Sequence, residues 1–516
     1  MSDVFAGHEL ALPFRSVADL LDDYATRDPE KVAIVDLDAG TRITFGELRD
    51  GANRAAAGLR DLGVGPGDRV LLLSDECLEK LVIWLGIWRI GAVVCPLNTE
   101  LNTNHLTYLS GLIDPSVVLI DEGLDLPDFH SPAKILEFGS WSAAGNGDGG
   151  FFASLPDNVS DADLPQRNKP EDVSCMFCTS GTTSLPKIVV YDHAAYWLSG
   201  LSTLDMLGLT EDDRTLEYRS FGWNSAQILS FMPFLQTGLT LHIARRFSHS
   251  RFFDWVRDNA ITFSAGVPTV INILLNKPLG YTAEDVPTLK RMTCSTAPLS
   301  PQQWDKFEEM YGLQLLQLYG MSEAGWICGN RHYRSKRGTV GPPALHQEFK
   351  ILDPEGEACS PGVEGETSIA GPQTAIGTLR EDGTIEPIRG SRVRTGDLAV
   401  MDDEGFVTVT GRTKDLIIRG GVNISPTEID NILMACDFLV EGAAFGIADP
   451  ILGEEVACAV IPKEDGVTVE RVQGYCRQHL PEAKVPKQVL FPDELPKSDR
   501  GKVLRAELQD MMKERA

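Results

Sequence analysis

The stretch CTSGTTSLPK, Cys178 to Lys187, combines hydroxyl side chains, a glycine and a final lysine. Hydroxyl groups can donate hydrogen bonds to phosphate oxygens, glycine lets the backbone come close to them, and lysine adds a positive charge. The spacing is not that of a Walker A loop, and a hydroxyl-rich surface loop has the same composition. Taken alone, the stretch leaves a phosphate-binding loop and an ordinary surface loop equally open.

Three further stretches favour the phosphate-binding interpretation. Glu323 follows the predicted strand LQLLQLYG, and a carboxylate just beyond a strand end in an α/β domain can hold Mg²⁺ on a nucleotide. The RTGD stretch predicts an acid, Asp397, after a tight turn, where it can accept hydrogen bonds from ribose hydroxyls. The segment Gly411 to Gly421, GRTKDLIIRGG, joins a large region to a small one.

Alternating helix and strand patterns must position these groups. Thr44 and Glu47 predict a capping box at the start of a helix, and Val70 to Leu73 predicts a buried strand after it. The alternation continues to about Gly411 and predicts α/β layers with largely parallel sheets. Beyond it, the pattern predicts a small α+β domain, in which Ser425 caps a helix and Glu428 closes a second capping box.

Length and charge exclude several classes of protein. A chain of 516 residues suggests two to four domains or subdomains at roughly 150 residues each. The formal net charge of −27 disfavours binding to nucleic acid or anionic lipid. The N-terminus has no signal-peptide pattern, and the most apolar window, Leu81 to Leu97, is short and contains Arg89. We therefore expect a cytoplasmic protein without membrane insertion.

The ten cysteines have no secreted-scaffold spacing and indicate reduced thiols. Cys175 and Cys178 form a CxxC that could be a redox or zinc motif. Residues three apart on a strand point to opposite faces, however, and the surrounding VSCMFCTS reads as a buried strand. We therefore expect these two cysteines to be structural.

In their order and spacing, these stretches resemble the adenylate-forming (AMP-binding) superfamily of acyl-CoA synthetases, peptide synthetase adenylation domains and firefly luciferase. The resemblance runs from about Ser16 to Arg505. It includes four more motifs, namely GVPT at Gly266 to Thr269, STAPL at Ser295 to Leu299, GTVGPP at Gly338 to Pro343 and PKSDRGK at Pro496 to Lys502. It implies a large N-terminal α/β domain of layered helix–sheet subdomains, residues 1–411, and a small mobile α+β domain, residues 412–516.

The resemblance also implies roles for individual residues. The groups that bind ATP and coenzyme A would be Thr179, Ser180, Gly181, Thr182, Thr183, Ser184, Ser295, Thr296, Ala297, Pro298, Tyr319, Gly320, Met321, Ser322, Asp397, Arg412, Gly420 and Gly421. The catalytic residues would be Lys502, Glu323 and Lys187, and the Mg²⁺ ligands Glu323 and Thr182. The acid pocket would include Trp223, Asn224, Gly266 and Val267, and Lys414 would be the hinge of domain alternation.

The implied reaction is the activation of a carboxylic acid by ATP to an acyl-adenylate, with release of pyrophosphate, followed by thioester formation with coenzyme A. Because the chain ends soon after Lys502 with no carrier-protein domain, we expect an acid–CoA ligase. Two alternatives stay open: a stand-alone enzyme that loads a separate carrier protein, and a luciferase-like oxidation of an adenylate. We also predict a homodimer.

The sequence departs from the family pattern at several positions. Ser184 stands where the family has glycine, and Ile188 follows Lys187 where another glycine is usual, so we expect a less mobile phosphate loop. Tyr218 to Gln227, YRSFGWNSAQ, has no aspartate for an α-amino group, which disfavours amino acid substrates. Trp223 predicts a short pocket for a compact acid, unless it is an ordinary core aromatic. The run from Gly371 to Asp397 lacks the usual tryptophan.

Overall fold

The computed structural model describes residues 13–125, 128–131, 133–141, 150–156, 159, 163–164, 167–179, 186–295, 299–497 and 502–514. None of the helices in these ranges is long and apolar enough to cross a membrane. The helices are α1 Val17–Arg27, α2 Phe45–Asp61, α3 Leu78–Arg89, α4 Thr103–Ile113, α5 Gly150–Ala153, α6 His193–Leu207, α7 Asn224–Ala226, α8 Met232–Thr237, α9 Phe252–Asp258, α10 Pro268–Asn276, α11 Pro301–Tyr311, α12 Pro426–Met434, α13 Val469–His479 and α14 Arg505–Lys513.

The strands follow the same alternation up to β14 and then occur mostly in succession. They are β1 Val32–Asp36, β2 Thr41–Thr44, β3 Arg69–Leu73, β4 Val93–Leu97, β5 Val117–Asp121, β6 Lys134–Phe138, β7 Val173–Thr179, β8 Lys187–Asp192, β9 Arg214–Glu217, β10 Thr240–Ile243, β11 Phe263–Ser264, β12 Arg291–Cys294, β13 Gln314–Met321, β14 Gly325–Gly329, β15 Glu348–Leu352, β16 Gly365–Ala370, β17 Gly377–Leu379, β18 Ile385–Pro387, β19 Val393–Met401, β20 Val407–Arg412, β21 Ile417–Arg419, β22 Val422–Ile424, β23 Leu439–Asp449, β24 Gly453–Pro462 and β25 Gln488–Leu490.

The strands form four sheets. Sheet A has the order β14-β13-β12-β11-β9-β10-β1-β2 and is parallel except at its two edge strands. Sheet B has the order β18-β17-β8-β7-β4-β3-β5-β6, with a parallel part from β7 to β6. The antiparallel sheet C is β15-β16-β19-β20, and sheet D combines β22-β21-β24-β23 with β25. The expected α/β layers with largely parallel sheets are thus confirmed for sheets A and B.

Alternation along the strands decides which core each side chain enters. In β3, Val70 and Leu72 join the cluster that also contains Trp84 and Trp88 of α3, whereas Leu71 and Leu73 pack on the opposite face of sheet B with α4. The first cluster includes side chains of both sheet A and sheet B, so α2, α3 and α6 lie between the two sheets. A further cluster packs α9, α10 and α11 on the other face of sheet A.

The CxxC motif follows the same rule. Cys175 and Cys178 both lie in β7, but Cys175 belongs to the cluster with α3 and Cys178 to the cluster with α4. They therefore point to opposite faces, and the structural interpretation is confirmed; all ten cysteines are free thiols.

Of the two predicted capping boxes, one is present. Thr44 and Glu47 form theirs at the start of α2. Ser425 precedes α12, but its hydroxyl donates to the backbone oxygen of Thr410 at the end of sheet C, and Glu428 pairs with Lys484. The second capping box was wrong because tertiary partners took both side chains.

Candidate active site

The candidate active site begins at the carboxyl edge of sheet A. The register pairs Leu216 with Ser264, Ser264 with Met292 and Cys294 with Gln317 across β9, β11, β12 and β13. The predicted site residues at Gly266, Ser295 and Tyr319 therefore follow one another on neighbouring parallel strands or just beyond them. In open α/β sheets this edge is where ligands bind.

Gly266 and Ser295 are in direct contact at this edge. The Ser295 N–H donates to the Gly266 backbone oxygen over 3.3 Å, and the Gly266 N–H donates to Thr293 Oγ1 over 3.1 Å. A Cβ at Gly266 would lie 2.3 Å from the Thr293 oxygen, so no other residue fits without displacing the backbone. The Ser295 hydroxyl is buried and has no hydrogen-bond partner among the described residues. An orphaned polar atom of this kind suits a ligand contact.

The hydroxyl-rich loop is the connection of a β-hairpin. Thr179 ends β7, Lys187 begins β8, and the two residues pair across the base of the hairpin. Residues 180–185, which include Ser180, Gly181, Thr182, Thr183 and Ser184, lie outside the described ranges. Ile188 is fully buried and pairs with Cys178 on one side and Leu379 of β17 on the other. The isoleucine after the lysine is thus a sheet residue.

Glu323 lies in the turn between β13 and β14, which confirms its predicted place just beyond a strand end. The Tyr191 hydroxyl of β8 donates to the Ser322 backbone oxygen over 2.9 Å, and the Ala375 N–H donates to the Glu323 backbone oxygen over 2.9 Å. Burial, and secondly the Glu323 carboxylate, raise the pKa of Tyr191. The turn that carries Glu323 therefore rests on the strand that begins with Lys187.

Asp397 is held between two of the other predicted residues. The Tyr319 hydroxyl donates to Asp397 Oδ2 over 2.5 Å, and Arg412 Nε donates to Asp397 Oδ1 over 2.9 Å. Burial and then Asp397 raise the pKa of Tyr319, which keeps its hydroxyl a donor. Asp397 and Arg412 are also directly opposite each other on β19 and β20. Sheet C thus adds a carboxylate and a guanidinium group to the edge of sheet A.

The tight turn expected at RTGD was wrong. Arg394 to Asp397 lies inside the continuous strand β19, where Gly396 has a φ of +76° and the register against β16 shifts. A glycine at positive φ produces a bulge as readily as a turn. The bulge lets Asp397 face Tyr319 while the strand continues.

Tyr319→Phe is expected to raise the KM for ATP several-fold, up to about tenfold, because it removes a charge-assisted hydrogen bond that holds Asp397. Pyrophosphate release at varied ATP measures the effect. Tyr333→Phe is the matched control, since Tyr333 donates over 2.8 Å to Asp205, a carboxylate whose other partner is Arg331. A change in the KM for the acid alone would contradict the assignment of this cluster to the nucleotide.

Of the predicted acid-pocket residues, Trp223 and Asn224 follow β9, whereas Gly266 and Val267 follow β11. Trp223 is partly buried and packs against the cluster on the α4 face of sheet B. Asn224 is buried, and its Oδ1 has no hydrogen-bond partner among the described residues. The helix that starts at Asn224 continues as a π-helix over Gln227–Phe231, an irregularity that is frequent at functional sites. Val267 precedes α10 at the sheet A edge.

The expected hinge residue and the glycine pair after it lie on short, exposed connections. Lys414 is exposed in a 3₁₀-helix, Thr413–Asp415, between β20 and β21. Gly420 and Gly421 form the two-residue turn between β21 and β22, with φ of +58° and +82°. Both central residues of such a hairpin turn need positive φ, so the glycine pair has a local structural reason.

Lys502 lies at the end of a loop whose base is closed by a bridge between Lys497 and Val503. The next turn is anchored where Arg505, the first residue of α14, pairs with the half-buried Asp430 of α12. Residues 498–501 of the loop lie outside the described ranges, as do Thr296, Ala297 and Pro298. Lys497 before the loop and Val503 and Arg505 after it are therefore tied to the small domain.

Sequence reasoning missed the buried polar residues that support the site. The sequence did not single out Tyr191, which contacts the turn that carries Glu323. It also did not single out Gln227 or the ion pair Glu76–Lys80, which contact the segment before Trp223. The only signal for the pair was the four-residue spacing of opposite charges after a strand. That spacing more often marks an exposed helix face.

Comparison with known proteins identifies the family of the chain. The model for AMP-binding enzymes matches residues 21–379, and the model for the AMP-binding enzyme C-terminal domain matches residues 428–502. A probable CoA ligase of Humulus lupulus is 33% identical over 477 residues, covering 90% of each chain. An oxalate–CoA ligase of Arabidopsis thaliana is 30% identical over 501 residues, covering 95% of this chain and 97% of the relative.

Solved structures share the fold over nearly the whole chain. The crystal structure of ATP-bound MatB from Rhodopseudomonas palustris matches with a TM-score of 0.84 and 27% identity, covering 96% of this chain and 99% of that one. An o-succinylbenzoate CoA synthetase of Bacillus subtilis, in complex with its acyl-adenylate, matches with a TM-score of 0.81 at 24% identity, which concerns the fold alone. The chain therefore belongs to the family of AMP-binding enzymes and, within it, to the acyl-CoA synthetases.

Proposed function

We propose that this acid–CoA ligase acts on a compact carboxylic acid at the carboxyl edge of sheet A. The observation that carries the proposal is the contact of Tyr191 with Ser322, which joins the strand of Lys187 to the turn of Glu323 beside the Tyr319–Asp397–Arg412 cluster. The Lys187 ammonium suits phosphates, the Glu323 carboxylate suits a metal-bound phosphate, and the Asp397 carboxylate suits a ribose.

On the nucleotide side, Asp397 would accept hydrogen bonds from the ribose hydroxyls, with Arg412 keeping its carboxylate oriented. Lys187 and the hydroxyls of residues 179–184 would bind the β- and γ-phosphates. Glu323 would hold Mg²⁺ with Thr182, and one carboxylate at the rim of a phosphate site is a usual protein contribution to Mg²⁺ binding. When bound, Mg²⁺ neutralises charge on the phosphate oxygens.

In the first half-reaction, a carboxylate oxygen of the acid attacks the α-phosphorus of ATP, and the bond to pyrophosphate breaks. An anion approaches an anion, so positive charge is needed on both sides of the transition state. Lys502 would supply it beside the acid and the α-phosphate, and Lys187 beside the leaving pyrophosphate. The product is an acyl-adenylate.

In the second half-reaction, the thiolate of coenzyme A attacks the acyl carbon and AMP leaves. We place the domain boundary between Gly411 and Arg412 and the hinge at Lys414, in the exposed 3₁₀ segment between sheets C and D. Rotation there would withdraw Lys502 and present the Gly420–Gly421 turn. With no Cβ on either residue, the turn leaves room for the pantetheine arm.

A compact acid is favoured by Trp223, because its ring packs on the sheet B cluster next to the buried Asn224 and would fill volume in the pocket. The similarity to an oxalate–CoA ligase, whose substrate is small, supports the same conclusion. We further propose a cytoplasmic location, which the ten free cysteines support. Assembly as a homodimer stays a prediction.

Pyrophosphate release across oxalate, acetate, propionate, butyrate, hexanoate and benzoate tests the proposal, each acid with and without coenzyme A. We expect thioester formation from one of the short acids and little from hexanoate. Pyrophosphate release that yields no thioester until a carrier protein is added would favour the carrier-loading alternative. Product formation that requires O₂ would favour oxidation of the adenylate.

Trp223→Ala is expected to shift preference toward longer acids, because each methylene buried in the opened space is worth ~0.8 kcal/mol, about fourfold in rate. If Trp223 is only a core aromatic, the substitution should instead destabilise the fold by ~3–5 kcal/mol and reduce activity on every acid alike. Relative rates on the acid series, measured together with a melting curve, separate the two results.

A further inference from the structure

A buried ion pair lies behind the proposed acid pocket. Glu76, just before α3, and Lys80 in its first turn have side chains that are 3% and 0% exposed, and Lys80 Nζ lies 2.6 Å from Glu76 Oε1. The same ammonium also donates to the Ser74 backbone oxygen over 3.0 Å. Both charges are therefore removed from water at the carboxyl end of β3.

Glu76 also holds the backbone that leads to Trp223. Its Oε1 accepts a hydrogen bond from the Ser220 hydroxyl over 3.0 Å and another from the Phe221 N–H over 2.9 Å. The Ser220 backbone oxygen in turn accepts from the Trp223 N–H over 3.0 Å, which closes a turn. One carboxylate oxygen thus fixes the start of the segment Ser220–Trp223.

The other side of the segment is fixed by the π-helix. Gln227 Nε2 donates to the Phe221 backbone oxygen over 2.6 Å, and the Tyr196 hydroxyl donates to Gln227 Oε1. The Phe221 peptide groups are therefore bound from both directions, by Glu76 and by Gln227. A shift of either partner would move the backbone on which Trp223 and Asn224 are placed.

Stability alone does not account for a charged pair here. Taking a carboxylate and an ammonium out of water is costly, and an apolar pair of similar shape is often as stable or more so. Glu76 Oε2 is buried without a hydrogen-bond partner among the described residues, which adds to the cost. What the pair provides, and an apolar pair could not, is an acceptor for Ser220 and Phe221.

We propose that Glu76 is a positioning residue for acid selectivity: its Oε1 orients the segment Ser220–Trp223, and the ion pair with Lys80 holds the carboxylate in place. The inference rests on the proposal that Trp223 forms a wall of the acid pocket. It assigns Glu76 no contact with substrate. Its effect should appear in the KM for the acid and in the ranking of acids, with kcat and the KM for ATP little changed.

Two charge-balanced double variants of the full chain test this. Glu76→Leu with Lys80→Met removes both charges and the acceptor, and it should raise the KM for the preferred acid about tenfold, the effect of losing hydrogen bonds to a charged group. Glu76→Gln with Lys80→Met removes the charges but retains a carbonyl oxygen for Ser220 and Phe221. It should restore the KM for the acid to within about threefold of the native value.

Ser220→Ala is a second disruptive variant, to be used if the leucine double variant does not fold. It deletes one hydrogen-bond donor to Glu76 and leaves the ion pair in place. It should raise the KM for the acid several-fold. Asp205→Asn is the matched control, since the Asp205–Arg331 pair is comparably buried, at 2% and 7% exposure with 2.9 Å between its atoms, and its further hydrogen bonds go to Tyr333 and to the backbone of Gly329 and Pro342. It should lower the melting temperature without changing the ranking of acids.

Raised KM and altered acid ranking in the leucine double variant or in Ser220→Ala, with recovery in the glutamine double variant, support the proposal. It is overturned if the acid ranking stays native in both disruptive variants, or if Asp205→Asn alters the ranking equally. Failure of the pocket assignment itself is read separately, from Trp223→Ala. A native ranking in that variant removes Trp223 as the wall, whatever the Glu76 variants do.

Discussion

Lys502→Ala is expected to lower the rate of adenylate formation by about 10²–10³-fold, the loss that follows removal of one group that stabilises transition-state charge. A supplied acyl-adenylate should still react with coenzyme A at nearly the native rate, because the proposed mechanism uses Lys502 only in the first half-reaction. The segment around it is anchored by the Lys497–Val503 bridge and the Arg505–Asp430 pair, so truncation of the side chain should leave the fold intact.

Pyrophosphate release measures the first half-reaction of this variant, and thioester formation from synthetic adenylate measures the second. Lys497→Ala is the matched control, since Lys497 lies at the base of the same loop and pairs with Glu441 on the exterior of sheet D. Adenylate formation at the native rate in Lys502→Ala, or an equal loss in Lys497→Ala, would remove Lys502 from the catalytic residues.

Lys414→Pro is expected to give the reverse pattern. Proline fixes φ near −65°, so it restricts the backbone rotation through which the small domain would alternate. Adenylate formation should stay within a few-fold of native, whereas thioester formation should fall on the order of 10²-fold, as expected when reacting groups are no longer brought into alignment. Proline is tolerated at this position because Lys414 lies in the first turn of an exposed helix, where N–H groups have no intrahelical partner.

The rates of both half-reactions are measured in Lys414→Pro and in the control variant Lys414→Ala. Lys414→Ala removes the charge but leaves the backbone free, so it should keep both rates near native. Equal losses in both half-reactions of Lys414→Pro would indicate misfolding, and a loss of adenylate formation in Lys414→Ala would indicate a direct catalytic role for the lysine.

The sequence by itself determined the layered α/β architecture and the place of most candidate site residues along the strands. The Thr44–Glu47 capping box and the apolar run Val70 to Leu73 depend on neighbours a few residues away, and such short-range preferences appear directly in the order of amino acids. The opposite faces of Cys175 and Cys178 follow from the period of a strand for the same reason. Glu323 beyond β13 was predictable because a strand pattern marks its own end.

Only the tertiary structure decided how distant residues use their polar groups. Asp397 lies in a bulged strand opposite Arg412, and Ser425 bonds to Thr410 instead of capping α12, because a backbone partner distant in sequence was available. The pairing of Glu76 with Lys80 depends on burial by α3 and by the segment after β9. Ser220 of that segment contacts Glu76 although the two residues are 144 positions apart along the chain. The same carboxylate and ammonium at the surface would be weakly coupled, so their role arises only when packing removes the water.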